Sequence, residues 1–495
     1  MTNAAQHQNA ALHHNIEHAL PRPSIRVTVG IIADDLTGAG DSAVKFAEAG
    51  WQASLALTES VAVNPGGVIA IVTDARAQPF ETARLATESA VARLLSAGID
   101  RLFVKIDSTM RGSVDAQIRG ALTAWTETQA EAQNDAEKRP FAIVCPAYPD
   151  MGRTLQVGRV LVNGVAVELT SIGRDPVTPV HTALVSALIP GSMNLAVGDD
   201  DAATVAERIA ALAAAGIEIV TVDATTDAEL DLIAGAAVLL GPAAIPVGSA
   251  GLAMAMSKIW ADATEATEVA TRDGSPRTCR AADRVLVVVS SLHDVSREQH
   301  AHLVTVDLIE RVRTLAPTLE DLADEASTAA WLAAEFVRSR DLPRVVVILS
   351  PAECGDLAAT EVKRTEASPT QANQSAADPA TASRVAAGLA ELTASVLGEV
   401  AISALVLMGG EGARAVLGRI GAEAIRVTGA IREGIPAGVI EGGLLDGLAV
   451  VTKAGGFGDR GTLADLIPEL LAQAPKSKHQ NNKTTNPNRS QGAQS

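Results

Sequence analysis

Two carboxylates stand side by side in Ala33-Asp34-Asp35-Leu36-Thr37-Gly38-Ala39-Gly40-Asp41, directly after the apolar run Val27–Ala33. Carboxylates at a strand end can accept hydrogen bonds from hydroxyls, take a proton, or hold a divalent cation. A second cluster, Lys105-Ile106-Asp107-Ser108-Thr109-Met110-Arg111-Gly112, follows another apolar run. Arg111 offers a planar fork that matches a carboxylate better than a lysine would. Lys105, Asp107, Ser108, Thr109 and Arg111 together suit a ligand that is both hydroxylated and anionic. The same residues also fit a plainer account, in which Asp41 or Ser42 caps a helix and Asp107 pairs with Arg111 across a surface loop. A third segment, Cys145-Pro-Ala-Tyr148-Pro-Asp-Met-Gly-Arg153, carries the chain's single tyrosine on a proline-stiffened loop and can complete the same pocket.

The remaining candidates are glycine-rich and lie in the second half. Gly409-Gly410-Glu411-Gly412 precedes a helix, and Lys453-Ala454-Gly455-Gly456-Phe457-Gly458 ends a strand. Glycines let a backbone approach a ligand closely, and helix N-terminal amides bind phosphate. Neither segment matches GxxxxGK[ST] or GxGxxG. Ser290-Ser291 closes another apolar run and is placed to join the same site.

Every one of these clusters needs a strand behind it. Val27–Ala33, Val68–Thr73, Leu102–Ile106, Ala142–Cys145, Ile217–Val222 and Ile245–Val247 read as buried strands. Helices are expected over Ser42–Ala49, Pro79–Ala97, Val114–Ala124 and Asp201–Ala215. The second half restarts the pattern with Val285–Val289, Val345–Leu349, Leu405–Met408 and Leu448–Thr452. Apolar runs alternating with helices imply an α/β fold of two domains, each with a mostly parallel sheet. In such sheets ligands bind at the carboxyl ends of the strands, where all the clusters fall. The expected division is a tail over 1–24, a domain over 25–260, a polar linker over 261–283, a second domain over 284–474, and a tail over 475–495. Residues 126–139 read as an exposed insertion and 366–382 as a polar surface loop.

Composition agrees with two domains. The chain has 495 residues, and single cores stop growing near roughly 250–300 residues. Hydrophobic residues make up 47% but aromatics only 2%, so the cores must be built from Ala, Val, Leu and Ile. A net charge of -18 argues against nucleic-acid binding, which needs a basic patch. No apolar run reaches the roughly 20 residues of a membrane span. The first 24 residues, with His7, His13, His14 and His18, contain no continuous apolar stretch and do not read as a signal peptide. Cys145, Cys279 and Cys354 form no metal-spaced pair, which fits free thiols in a reducing cytoplasm. A homodimer is the base-rate expectation for assembly.

Taken together, IIADDLTGAGD, VKIDSTMRGSVDAQI, CPAYPDMGRT with LVNGVAVELT, MGGEGARAVL and GLAVVTKAGGFGD resemble the four-carbon acid sugar kinase family, in that family's order, across residues 27 to 471. The resemblance implies a sugar-acid-binding domain followed by a nucleotide-binding domain. It implies ATP and Mg²⁺ as cofactors and a tetronate or 3-oxo-tetronate as substrate. Asp34, Asp35, Asp107 and Arg111 fall in its substrate-side motifs, with the base among Asp34, Asp35 and Asp107, and Arg111 gripping the carboxylate. Ser291, Gly409 to Gly412 and Lys453 to Gly458 fall in its ATP-side motifs. Two departures touch that half: Ser290-Ser291 with Ser296 and Gln299 replaces a Gly-Ser followed by Thr and Gln, and Gly412 replaces a hydroxyl residue. The rival readings are a ribokinase-type sugar kinase using Asp41, a sugar-acid-binding protein without turnover, and a lyase working through Lys105.

Overall fold

The computed structural model describes residues 27–59, 64–132, 139–175, 177–265, 283–306, 312–337, 343–351 and 379–472. The expected tails, the N-terminal histidines, Cys279, Cys354 and most of the 366–382 loop lie outside these residues. The first half contains β1 (Val29–Ala33), β2 (Ala53–Ala56), β3 (Val68–Val72), β4 (Arg101–Lys105), β5 (Phe141–Cys145), β9 (Met193–Leu195), β10 (Ile219–Val222) and β11 (Ala244–Gly248). Between β5 and β9, a small antiparallel sheet is formed by β6 (Arg153–Gln156), β7 (Arg159–Val162) and β8 (Val165–Ala166). The second half contains β12 (Val285–Val289), β13 (Val312–Leu315), β14 (Val345–Leu349), β15 (Ala404–Met408), β16 (Ala424–Arg432), β17 (Ile435–Glu441) and β18 (Ala449–Lys453).

Two parallel units result, as the sequence pattern implies. In the first, β3, β1, β4, β11 and β5 lie side by side, all parallel. In the second, β14, β12, β15 and β18 do the same. β1 and β12 are buried along their whole length. Their successive residues feed different hydrophobic clusters, with Ile31 in one and Ile32 in another, so both faces are covered.

The two units are not separate sheets. β16 and β17 form an antiparallel hairpin, and β16 pairs antiparallel with β2 through Ala424↔Ala56 to Val427↔Ala53. The result is one 15-stranded sheet among the described residues. One apolar cluster runs through the join, from Leu55 to Ile425 to Val450. Register shifts at Val427/Gly429 and Ala430/Arg432 bend β16. Its tip, Glu433-Gly434, reaches over the first unit.

Several boundaries differ from the sequence pattern. The first helix, α1 (Leu36–Glu48), starts six residues earlier than expected (36 against 42). Asp35, not Asp41 or Ser42, is its N-cap, with Oδ1 accepting from the Gly38 amide at 2.8 Å. Glycines at 38 and 40 suggested a loop; instead they thin the helix where other groups press close. A Cβ at Gly38 would stand 2.8 Å from Lys105 Nζ, and one at Gly40 would stand 3.1 Å from Pro436 Cγ of the hairpin. The next helices in order are α2 (Phe80–Ser96) and α3 (Val114–Ala132). The latter takes in part of the expected 126–139 insertion. After α4 (Val185–Leu188), α5 (Ala202–Ala214) and α6 (Asp227–Leu240), helix α7 (Ala250–Glu265) runs past the expected start of the linker at 261. In the second half, α8 (Asp294–Leu303) and α9 (Glu325–Val337) precede α10 (Pro379–Glu399), which claims the end of the expected 366–382 loop. The last two helices are α11 (Gly410–Arg419) and α12 (Thr462–Ala472).

Candidate active site

Five strand ends of the first unit converge on one cleft with a cavity volume of about 180 Å³. β1 delivers Asp34 and Asp35, β3 delivers Arg76, β4 delivers Lys105 to Arg111, β5 delivers Tyr148, and β11 delivers Ser249. The expected residues Asp35, Lys105, Asp107, Ser108, Arg111 and Tyr148 all line it. So do Asp41, Lys45, Arg76 and Arg153 from the first half, and Ala430, Glu433, Gly434, Ala454 and Phe457 from the second. Asp34 and Thr109 are not part of the lining; both are buried behind it.

Arg76 is the hub, and sequence reasoning passed over it. Its Nε and Nη2 donate to the two oxygens of Asp34 at 2.6 and 2.9 Å, and its Nη1 lies 2.8 Å from Asp35 Oδ2. Asp107 Oδ2 lies 3.7 Å from the same guanidinium. The signal was present, because Arg76 follows the β3 strand end just as Asp34 follows β1. Its backbone is gripped as well: the Ser113 amide donates to the Arg76 carbonyl, and a side chain at Gly112 would strike that carbonyl.

Arg111 is spent in a similar way. Its Nη2 donates to Asp107 Oδ2 at 2.8 Å and its Nη1 to Asp175 Oδ2 at 3.1 Å. Asp107 Oδ1 also accepts from the Thr109 amide at 2.9 Å and from the Thr109 hydroxyl. The ion pair foreseen as the plainer account therefore exists, and it sits in the wall of the cleft. Burial alone would raise the Asp107 carboxyl, but Arg111 and Arg76 outweigh it and hold the group far below the usual range. Burial pushes Asp34 up, with the Arg76 guanidinium pulling against it.

Three groups in the cleft are left without an ionic partner. Lys105 and Arg153 have no carboxylate at ion-pair distance among the described residues. The Arg153 guanidinium donates to the Met151 carbonyl. Asp41 is the third. Its Oδ1 is shielded from solvent and has no hydrogen-bond partner. Burial pushes its carboxyl to about 7; Lys105 and Lys45 oppose that rise, while Asp35 and Glu433 add to it. Across the cleft, the hairpin tip is tied down by Glu433, which takes the Lys45 ammonium at 2.7 and 2.8 Å and the Tyr148 hydroxyl.

The strand ends of the second unit build a different pocket. Ser290, Ser291 and His293 follow β12, Ser350 follows β14, Gly409 to Gly412 follow β15, and Gly455 and Gly456 follow β18. Val385, Ala386 and Leu389 of α10 form an apolar wall. Gly409 has φ +108°, and a Cβ there would meet Ser290 Oγ at 2.7 Å and the Ser291 amide nitrogen at 3.0 Å. The first turn of α11 opens on this pocket with the amides of Gly410, Glu411 and Gly412. Ser296 Oγ donates to the Gly455 carbonyl at 2.7 Å, and Gln299 Nε2 donates to the Phe457 and Asp459 carbonyls at 3.0 and 2.7 Å. These two residues thus hold the glycine turn in place. Lys453 lines neither pocket. Its buried Nζ donates to the Ala454 carbonyl at 2.8 Å, and burial lowers it to about 8. Gly458 also lies outside both linings.

The two pockets share one turn. Ala454 and Phe457 face the charged cleft, while Gly455 and Gly456 between them face the glycine pocket. Among the described residues no group of three His, Cys, Asp or Glu side chains could hold a metal by itself. Magnesium held mainly by phosphates and water needs only one or two carboxylates, and Glu411 lines the glycine pocket. No helix among the described residues is long and apolar enough to cross a membrane.

A charged cleft on one parallel unit and a glycine-lined pocket on the next define a two-domain α/β protein, the first with the chemistry to suit a small polar ligand and the second with the chemistry to suit phosphates. Residues 29–256 match the family model of a sugar-binding N-terminal domain, and residues 286–463 match that of a nucleotide-binding C-terminal domain. The chain belongs to the four-carbon acid sugar kinase family. It is similar to the D-threonate kinase of Bordetella bronchiseptica, with 36% identity over 441 residues covering 88% of this chain and 95% of that one. It is 29% identical to the D-erythronate kinase of Heliobacterium modesticaldum over 472 residues, 90% of this chain and 97% of that one. A Haemophilus influenzae crystal structure from a domain family of unknown function shares the fold, with TM-score 0.61, 21% identity, and coverage of 90% and 99%.

Proposed function

We propose that the protein transfers the γ-phosphoryl group of Mg²⁺-ATP to a hydroxyl of a four-carbon sugar acid, a tetronate or 3-oxo-tetronate. The observation that carries this reading is the shared turn Ala454–Phe457, which puts a phosphate-type glycine pocket beside a small, charged cleft. Relatives covering nearly the whole chain are kinases of threonate and erythronate. In this reading residues 25–260 bind the acid, 261–283 link, and 284–474 bind the nucleotide.

The acid would lie between the Arg76 hub and the hairpin. Lys105 and Arg153, the cations without carboxylate partners, take its carboxylate, since Arg111 already serves Asp107 and Asp175. Ser108, Asp35 and Tyr148 are placed to meet hydroxyls. Asp34, Thr109 and Asp175 keep the arginines oriented. In the second pocket, backbone amides at Gly409 to Gly412 and Gly455-Gly456, with Ser291, cradle the phosphates. Val385, Ala386 and Leu389 face the base. Magnesium would neutralise phosphate charge there, with Glu411 as the nearby carboxylate. The hairpin tip and Phe457 cover the cleft and exclude water, which limits ATP hydrolysis.

Coupled ADP release with Mg²⁺-ATP, measured against four-carbon sugar acids, free sugars and no-acid controls, tests the reading. Release that depends on one acid is expected. Release with free sugars instead points to a ribokinase-type enzyme. No release from folded protein with any acid would sink the kinase assignment.

A further inference from the structure

We propose that Asp41 is the catalytic base, taking the proton of the sugar-acid hydroxyl that attacks the γ-phosphorus. The inference rests on the kinase reading above and deepens it.

Every other carboxylate at the cleft is already committed. Asp34 gives both oxygens to Arg76 and lies behind the lining at 0% exposure. Asp35 caps α1 with one oxygen and pairs with Arg76 through the other. Asp107 is held by Arg111, Arg76 and Thr109. Glu433 takes Lys45 and Tyr148. A carboxylate in such bonds is a weak base, because protonation would break them. Asp41 lines the same cleft and has an oxygen shielded from water that accepts from nothing. A carboxylate oxygen shielded from water with no donor beside it has lost its hydration and gained no hydrogen bond in exchange. A hydroxyl donating to the Asp41 carboxylate from the cleft would give this uncommitted group a partner and align its own proton for transfer.

The surroundings suit the role. Facing Asp41 are Asp35 and Lys45 from its own helix, Lys105 from β4, Glu433 from the hairpin tip and Tyr148 from the loop after β5. Two cations and two fixed anions roughly cancel. Burial therefore decides, and it brings the group to about 7, near the working pH of a general base. Asp41, Ala454 and Phe457 line the same cleft. In the step, the hydroxyl oxygen forms a bond to the γ-phosphorus as the bond from phosphorus to the ADP oxygen breaks. ADP leaves with that electron pair. The hydroxyl proton passes to Asp41 and then to solvent, which restores the carboxylate.

The test uses the full chain with Asp41→Asn and Asp41→Glu, and compares kcat, KM and pH profiles after thermal melts show both variants folded. In Asp41→Asn, kcat should fall about 10²–10⁴-fold while KM for the acid and for ATP changes by less than about fivefold. The wild-type kcat/KM should decline below about pH 7 with unit slope. Asp41→Glu should keep measurable turnover and shift that limb. The wild-type pH profile needs no variant, so it stands even if one fails to fold. A kcat within tenfold of wild type in Asp41→Asn, or an acid limb unmoved in Asp41→Glu, overturns the assignment while leaving the kinase reading intact. A folded wild type that releases no ADP with any of the acids removes the kinase reading, and the base with it.

Discussion

The two pockets solve recognition in opposite ways. The cleft of the first unit is crowded with charge: Arg76, Arg111, Lys45, Lys105 and Arg153 against Asp35, Asp41, Asp107 and Glu433. The pocket of the second unit has one carboxylate, Glu411, and one imidazole, His293, among serines, glycines and aliphatic side chains. A four-carbon acid has few atoms, so its stereochemistry must be read by side chains, and Arg76, Arg111, Asp107 and Glu433 are fixed by ion pairs. A polyphosphate carries repeated oxygens, which backbone amides can meet without any particular side chain. Side-chain identity should therefore matter most in the first site, and backbone shape in the second.

The largest effect expected from breaking this contrast is Arg76→Ala. It leaves buried Asp34 without its counter-charge, which costs about 3–5 kcal/mol. Thermal and urea melts should show the loss even without ligand, and a stable variant would mean the hub is not structural. Next comes Gly409→Val, which forces a branched residue into φ +108° against Ser290 and Ser291. About 1–3 kcal/mol of strain should raise KM for ATP about tenfold or more. Calorimetric binding of the acid alone should be unchanged, and a parallel loss in both ligands would collapse the two-site contrast. Arg153→Ala removes one charge-assisted contact, worth about 1.5–3 kcal/mol. KM for the acid should rise at least tenfold, while any weak activity on the uncharged sugar alcohol stays level. The smallest effect is Glu433→Gln at the exposed hairpin tip, about 0.2–1 kcal/mol and fading with added salt.

Much of the first site was legible. The rule that ligands gather at parallel strand ends led to Asp35, Lys105, Asp107, Ser108, Arg111 and Tyr148, and all of them line one cleft. The same rule applied to β3 would have reached Arg76. Glu433 was out of reach, because it meets Lys45 across 388 positions of sequence, from the tip of a hairpin for which the sequence carried no expectation. Asp41 was visible in the ribokinase-type rival and otherwise as a helix cap. That reading placed the helix start late, since Gly38 and Gly40 look like loop residues when their neighbours Lys105 and Pro436 are unseen.

The sequence by itself determined the alternation of strands and helices, through apolar runs that must be buried on both faces. It also determined the inventory of charged groups at the strand ends. Only the tertiary structure decided which carboxylates are neutralised and which one is left bare. Ion pairing depends on separations of about 3 Å between groups brought together by the sheet, and no local pattern encodes those separations.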